Sequence, residues 1–175
     1  PTIRQNVSAR KFHMPVPDGT VKSLLSRGRR ALAARLGEPE EVLVCSTGII
    51  GTPLPMDVIL PAIPKLSGAL SVEGGTEAAE GILTTDHVAK EVVVRGDGWT
   101  IGGMAKGCGM IAPNMATMLA FLTTDADVPR AIMQKALKTA SDATFNTLNV
   151  DGATSTNDTV MLLANGRRGR PDLDE

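Results

Sequence analysis

Thr117 follows Ala116 at the end of a Gly-rich segment, Lys106-Gly107-Cys108-Gly109-Met110-Ile111-Ala112-Pro113-Asn114-Met115-Ala116, and precedes the apolar run Met118-Leu119-Ala120-Phe121-Leu122. That arrangement delivers a small nucleophile to the start of a buried strand, next to an unhindered Ala carbonyl. A threonine hydroxyl is a weak nucleophile and needs a base. If the chain is cut just before the threonine, the freed α-amine, with an ordinary pKa of about 7.7–8.0, can serve as base for its own hydroxyl. Read by local chemistry alone, most Ala-Thr pairs of this kind are ordinary core pairs entering a strand. Gly107 to Ala112 also fits G-x-G-x-x-A, but a strand rather than a helix is expected to follow, which is the wrong context for a dinucleotide site.

The elements that must position this segment are legible in part. Val21 to Leu36 has near-helical apolar spacing, interrupted by Gly28 and stopped by Gly37. Val42 to Cys45 reads as a short buried strand running into Ser46-Thr47-Gly48-Ile49-Ile50-Gly51. Pro55 opens a helix over Met56 to Leu60 that Pro61 and Pro64 are expected to limit, and another helix runs from Glu77 to Leu83. Glu91 to Arg95 and Trp99 to Met104 form a hairpin about Gly96-Asp97-Gly98. Lys106 to Thr117 is expected to be an irregular loop, and Met118 to Leu122 a strand. Asp127 reads as the N-cap of a helix ending near Ala143, and Thr159 to Ala164 as a last strand turned by Asn165-Gly166. The fold class expected is α/β, with mixed β-sheet layers packed by helices.

Composition narrows the function. Of 175 residues 42% are apolar but only 2% aromatic, so the core is aliphatic. No apolar run nears the ~18 residues of a membrane span, and no secretory signal is seen; a cytoplasmic protein is expected. Cys45 and Cys108 are too few for a disulfide framework and read as small buried apolar residues. Residues 1–36 hold eight Lys or Arg against Asp18 alone, a net +7, while the remainder holds ten against eighteen acids, a net −8. A basic front of this kind could bind nucleic acid or act as an organellar arm, although base-stacking aromatics are nearly absent.

Four ordered stretches resemble the ornithine acetyltransferase family. Lys106 to Leu119 is similar to its self-cleavage segment. Cys45 to Met56 is similar to its oxyanion-hole segment, Ile82-Leu83-Thr84-Thr85-Asp86 to its Thr-Thr-Asp segment, and Asp151 to Thr159 to a stretch beyond the nucleophile. The resemblance implies self-cleavage at Ala116-Thr117, then ping-pong acetyl transfer from N-acetylornithine to glutamate through acetyl-Thr117, in arginine biosynthesis. It implies Thr47 and Gly48 as the oxyanion hole, and Thr84, Lys106 and Thr117 as substrate contacts. It also implies no cofactor and no metal, leaves acetyl-CoA open as a second acetyl donor, and suggests an oligomer of cleaved α and β chains. Outside the resemblance, Thr47-Gly48 reads as a strand-ending turn, Thr84 to Asp86 as a helix C-terminal turn, and Lys106 as a solvated loop lysine. His13 and His87 read as surface residues.

The resemblance covers about residues 31–166. Residues 1–30 read as a basic leader of unknown role and 167–175 as a polar tail. The chain begins at Pro1 without Met and lacks the family's longer N-terminal region and its continuation, which supplies a catalytic-site glutamate. Activity is therefore expected to need the missing family segments or a partner chain. The alternatives are an inactive truncated fragment, a basic-arm binding protein without activity, and a related self-cleaving aminopeptidase. Thr117 counts against the last, because those enzymes usually present Ser.

Overall fold

The computed structural model describes residues 42–48, 52–112, 115–116, 118–155 and 158–169, with backbone alone at 115–116. The basic front, the Val21 to Leu36 helix, His13 and Thr117 itself lie outside the described residues. Those described fall in two compact units, one up to Gly74 and one from Gly75 on.

In the first unit, residues 42–48 are not a strand: they are irregular, with Val42 buried and Val44 exposed. An apolar run supplies hydrophobicity but not a ladder partner. Helix α1, Met56–Gly68, runs through both Pro61 and Pro64 rather than stopping at them. The two prolines are three residues apart and exposed, so the carbonyls that lose their N–H partners can turn to water, while Ile63 stays buried.

The second unit opens with helix α2, Gly75–Gly81, two residues earlier at each end than expected. The predicted hairpin is present as β1, Lys90–Arg95, and β2, Thr100–Lys106, closed by the Gly96 N–H to the Trp99 carbonyl at 3.0 Å. Two residues on each side of Pro113-Asn114 form a small antiparallel pair, β3, Ile111–Ala112, and β4, Met115–Ala116. Strand β5 is Leu119–Thr124, helix α3 is Arg130–Ala143, and β6 is Thr159–Ala164. Asp127 is not the cap of α3. Pro129 occupies the N-cap position, and the Asp127 N–H donates to the Gly169 carbonyl at 2.8 Å.

The sheet order is β1-β2-β5-β6, with β1-β2 and β2-β5 antiparallel and β5-β6 parallel. The mixed α/β expectation holds, and α3 lies within the β5-to-β6 crossover that a parallel pair requires. Burial grades across the sheet: every residue of the edge strand β1 is exposed, whereas Leu119 and Ala120 of β5 are buried. Gly103 in β2 has a positional reason, since a Cβ there would lie 2.7 Å from Leu122 Cδ2 and 3.3 Å from Val92 Cγ1. The apolar core gathers Ile111, Met118 and Ala120, packed by Ala105, Phe145 and Val160. It therefore sits beside the residues that flank Thr117 in the chain. Among the described residues no helix is long and apolar enough to cross a membrane.

Candidate active site

The site is built on the way the Lys106 to Leu119 segment is held. Lys106 closes β2 and pairs with Leu119 of β5, two residues past Thr117. It is not a solvated loop lysine, for only 2% of it is exposed. No carboxylate or hydrogen-bond acceptor among the described residues meets its ammonium. Such a charge is costly to bury and is normally paired.

The chain then turns sharply. Gly107 has φ 143° and Met110 has φ 55°, the latter the single non-Gly residue with positive φ among those described. The first is accessible to Gly at no steric cost, whereas the second costs a side chain on the order of 1–2 kcal/mol. What holds the turn is acidic. Asp86 Oδ1 accepts the Gly107 N–H at 2.6 Å and the Lys90 ammonium at 2.5 Å, with the Asp86 side chain wholly inaccessible to water. Asp151 Oδ2 accepts the Met110 N–H at 2.6 Å, and its Oδ1 accepts the Ile111 N–H at 3.0 Å. Beyond the hairpin, Asp158 Oδ1 accepts the Met118 N–H at 3.1 Å, and the Thr159 N–H donates to the Met118 carbonyl at 3.0 Å.

Burial alone would raise the Asp86 carboxyl, but hydrogen bonds from Lys90 and the Gly107 N–H, the Lys90 charge and the Thr84 N–H outweigh it and hold it below the usual carboxylate range. The Asp151 carboxyl is held low by the N–H groups of Met110, Ala153 and Ile111. A depressed folded pKa stabilises the fold above the ordinary value of about 3.9, and that contribution disappears as pH falls through the lowered folded value. Thermal unfolding should thus show an acid limb below pH ~4, and Asp86→Asn should flatten it. A melting-temperature profile unchanged in shape by that substitution would mean that Asp86 does not titrate with folding.

Several expected site residues meet here. The Thr84 to Asp86 segment lies against the Gly107-Cys108 turn, through the Asp86 bond and through a hydrogen bond of 3.1 Å shared by the Thr85 hydroxyl and the Cys108 thiol. Thr84 and His87 are exposed. Cys108 is exposed rather than a buried apolar residue, while burial pushes the half-buried Cys45 thiol up. Thr47 is half-buried and Gly48 exposed in the first unit, and a Cβ on Gly48 would meet nothing within 4 Å. Ala116 is backbone-paired with Ile111, so Lys106 to Thr117 is less irregular than expected. The G-x-G-x-x-A stretch ends in this strand pair, not in a helix, and lacks the dinucleotide context. Sequence reasoning missed Asp151 and Asp158 as anchors. Their signal was their place in the Asp151 to Thr159 stretch, which had been noted without roles.

The fold and site together define a mixed α/β scaffold that presents one segment between acidic backbone anchors. The chain belongs to the ArgJ family, whose match runs over residues 23–175. It is 53% identical over 135 residues to the arginine biosynthesis bifunctional protein ArgJ of Streptomyces coelicolor, covering 77% of this chain and 35% of that protein. It is 54% identical over 149 residues to the protein of the same name from Symbiobacterium thermophilum, covering 82% and 37%. To that of Streptomyces avermitilis it is 56% identical over 126 residues, covering 72% and 33%. The chain thus spans about a third of the length of these relatives.

Proposed function

We propose that this chain is the nucleophile-bearing part of a cytoplasmic acetyltransferase of arginine biosynthesis, completed by the remaining family segments. Thr117 Oγ attacks the Ala116 carbonyl carbon, the Ala116-Thr117 C–N bond breaks, and the amine leaves with a proton. Water then opens the Ala116 ester, leaving an Ala116 carboxylate and an N-terminal Thr117. In the second stage Thr117 Oγ takes acetyl from N-acetylornithine. The Thr117 amine receives the hydroxyl proton and returns it to the departing ornithine amine. Glutamate's amine then attacks the acetyl-Thr117 carbonyl carbon, the C–Oγ ester bond breaks, and a proton from the attacking amine passes through the Thr117 amine to Oγ, giving N-acetylglutamate and free Thr117. No cofactor is needed, and acetyl-CoA would enter only as an alternative acetyl donor.

In this reading Thr47 and Gly48 stabilise the tetrahedral oxyanion, where one donor is commonly worth about 2.7–4 kcal/mol. Thr84 contributes to the substrate pocket. Lys106 keeps the Thr117 amine neutral at working pH and meets a substrate carboxylate. The observation that carries the reading is Lys106, almost fully buried, with no partner for its ammonium among the described residues, and paired in register with Leu119, two residues past Thr117. An almost fully buried lysine that meets no anion among the described residues is suited to a ligand that brings one, and both amino-acid substrates carry carboxylates.

The test is to incubate the purified chain with isotopically labelled N-acetylornithine and glutamate. Mass spectrometry should find label on a fragment that begins with Thr117 and then on N-acetylglutamate. A chain that stays uncut and unlabelled, also when the remaining family segments are supplied, would instead mark an inactive fragment.

A further inference from the structure

Three acidic side chains grip main-chain N–H groups around the segment that carries the proposed cleavage bond, and two of them come from one short stretch. Asp151 holds Met110 and Ile111, and Asp158 holds Met118. The stretch adds backbone bonds of its own, from the Val150 N–H to the Ile111 carbonyl at 2.8 Å and from the Thr159 N–H to the Met118 carbonyl at 3.0 Å. Ile111 is the cross-strand partner of Ala116. A hold on Ile111 is therefore passed across two backbone-paired strands to the residue whose carbonyl would be attacked, and a hold on Met118 fixes the chain just after the nucleophile.

Resting on the self-cleavage reading, we infer that Asp151 and Asp158 are positioning residues for that step, bracing the backbone upstream and downstream of the Ala116-Thr117 bond. Neither acts on the reacting atoms. Their effect is geometric, because attack on a neighbouring peptide carbonyl needs the hydroxyl near 3–3.5 Å and in line, and small misplacements are expensive in rate. Asp151 has a second task. Met110 stands in the left-handed region, where a side chain is disfavoured, and the short bond to its N–H is what pins it there. A carboxylate suits this role better than a neutral acceptor, since it offers both oxygens to two successive N–H donors and bonds more strongly to each.

The experiment combines amide hydrogen exchange with the rate of appearance of cut fragments, on the native chain, Asp151→Ala, Asp158→Ala and the double variant Asp151→Ala/Met110→Gly. In Asp151→Ala exchange at Met110 and Ile111 should quicken roughly tenfold or more, with the β1-β2-β5-β6 amides unmoved, and cleavage should slow at least as much. In Asp158→Ala the change should centre on Met118. Adding Met110→Gly should recover much of the cleavage lost in Asp151→Ala, which a general loss of folding would not allow. Unchanged exchange at Met110 and Ile111, exchange raised evenly over the whole sheet, or a double variant as slow as the single one would each overturn the brace. If the native chain never cuts, also with the remaining family segments supplied, the self-cleavage reading fails and the positioning role with it. A native chain that cuts alongside an equally fast Asp151→Ala sinks the brace alone.

Discussion

Thr117→Ala should leave the 18.3 kDa chain as one species under conditions in which the native sequence separates into two fragments at Ala116-Thr117. The chemistry admits no substitute at this position except another hydroxyl or thiol, because the attacking atom must lie two bonds from Cα to close a five-membered ring on the preceding carbonyl carbon. Removing a nucleophile that acts in concert with its base costs on the order of 10⁶-fold in serine proteases. A cut slowed that far would not be seen over days. Thr117→Ser keeps the hydroxyl and should still cut. Intact mass with N-terminal sequencing of the smaller fragment reads the result. Fragments from Thr117→Ala with the same ends would show that a contaminating protease makes the cut, and a threonine nucleophile would have to be abandoned. The Ala variant also separates folding from chemistry: Met118 and Leu119 are buried by their own packing and backbone bonds, so the uncut chain should keep the native melting temperature.

The sequence reading succeeded where pattern and partner coincide. The β1-β2 hairpin was legible because the β-branched run Val92-Val93-Val94 leads into Gly96-Asp97-Gly98, whose Gly98 takes φ 73° as such a turn demands. Strands β5 and β6 were legible because their apolar runs find ladder partners, with Leu119 and Ala120 of β5 and Met161 of β6 buried. Val42 to Cys45 has the same kind of composition without a ladder, and no local signal distinguishes the two cases. Pro61 and Pro64 misled because a proline's cost depends on whether water can reach the carbonyl it frees, which is a tertiary fact. The candidate site was legible as motifs and as nothing finer. That Lys106 is buried follows from its register against Leu119, and that Asp86 and Asp151 hold the turn follows from bonds spanning 21 and about 40 residues. Long-range hydrogen bonds of this kind leave no periodic trace in a single sequence.

Lys106→Met tests the other half of the chemistry, and its two effects should have opposite signs. Methionine keeps most of the buried stem and removes the charge. Burying an ammonium costs several kcal/mol, and here no carboxylate among the described residues offsets it. The variant should therefore be as stable as the native chain or more so, by about 1–3 kcal/mol, raising the melting temperature by several degrees. Self-cleavage should continue, because Thr117 has no free amine before the bond is cut and no substrate carboxylate is present. Acetyl transfer should fall, since a charge-assisted bond of about 1.5–3 kcal/mol to a substrate carboxylate is lost, a factor of roughly 10–100 in kcat/KM. The pH at which transfer reaches half its maximum should also move upward, because the Thr117 amine loses the neighbouring cation that keeps it neutral. A variant that melts lower, with transfer and its pH profile unchanged, would mean that Lys106 is a structural residue and that the anion-binding role belongs elsewhere. Stability gained and transfer lost together would be the mark of a charge retained at a cost to the fold because the substrate, not the protein, completes its pairing.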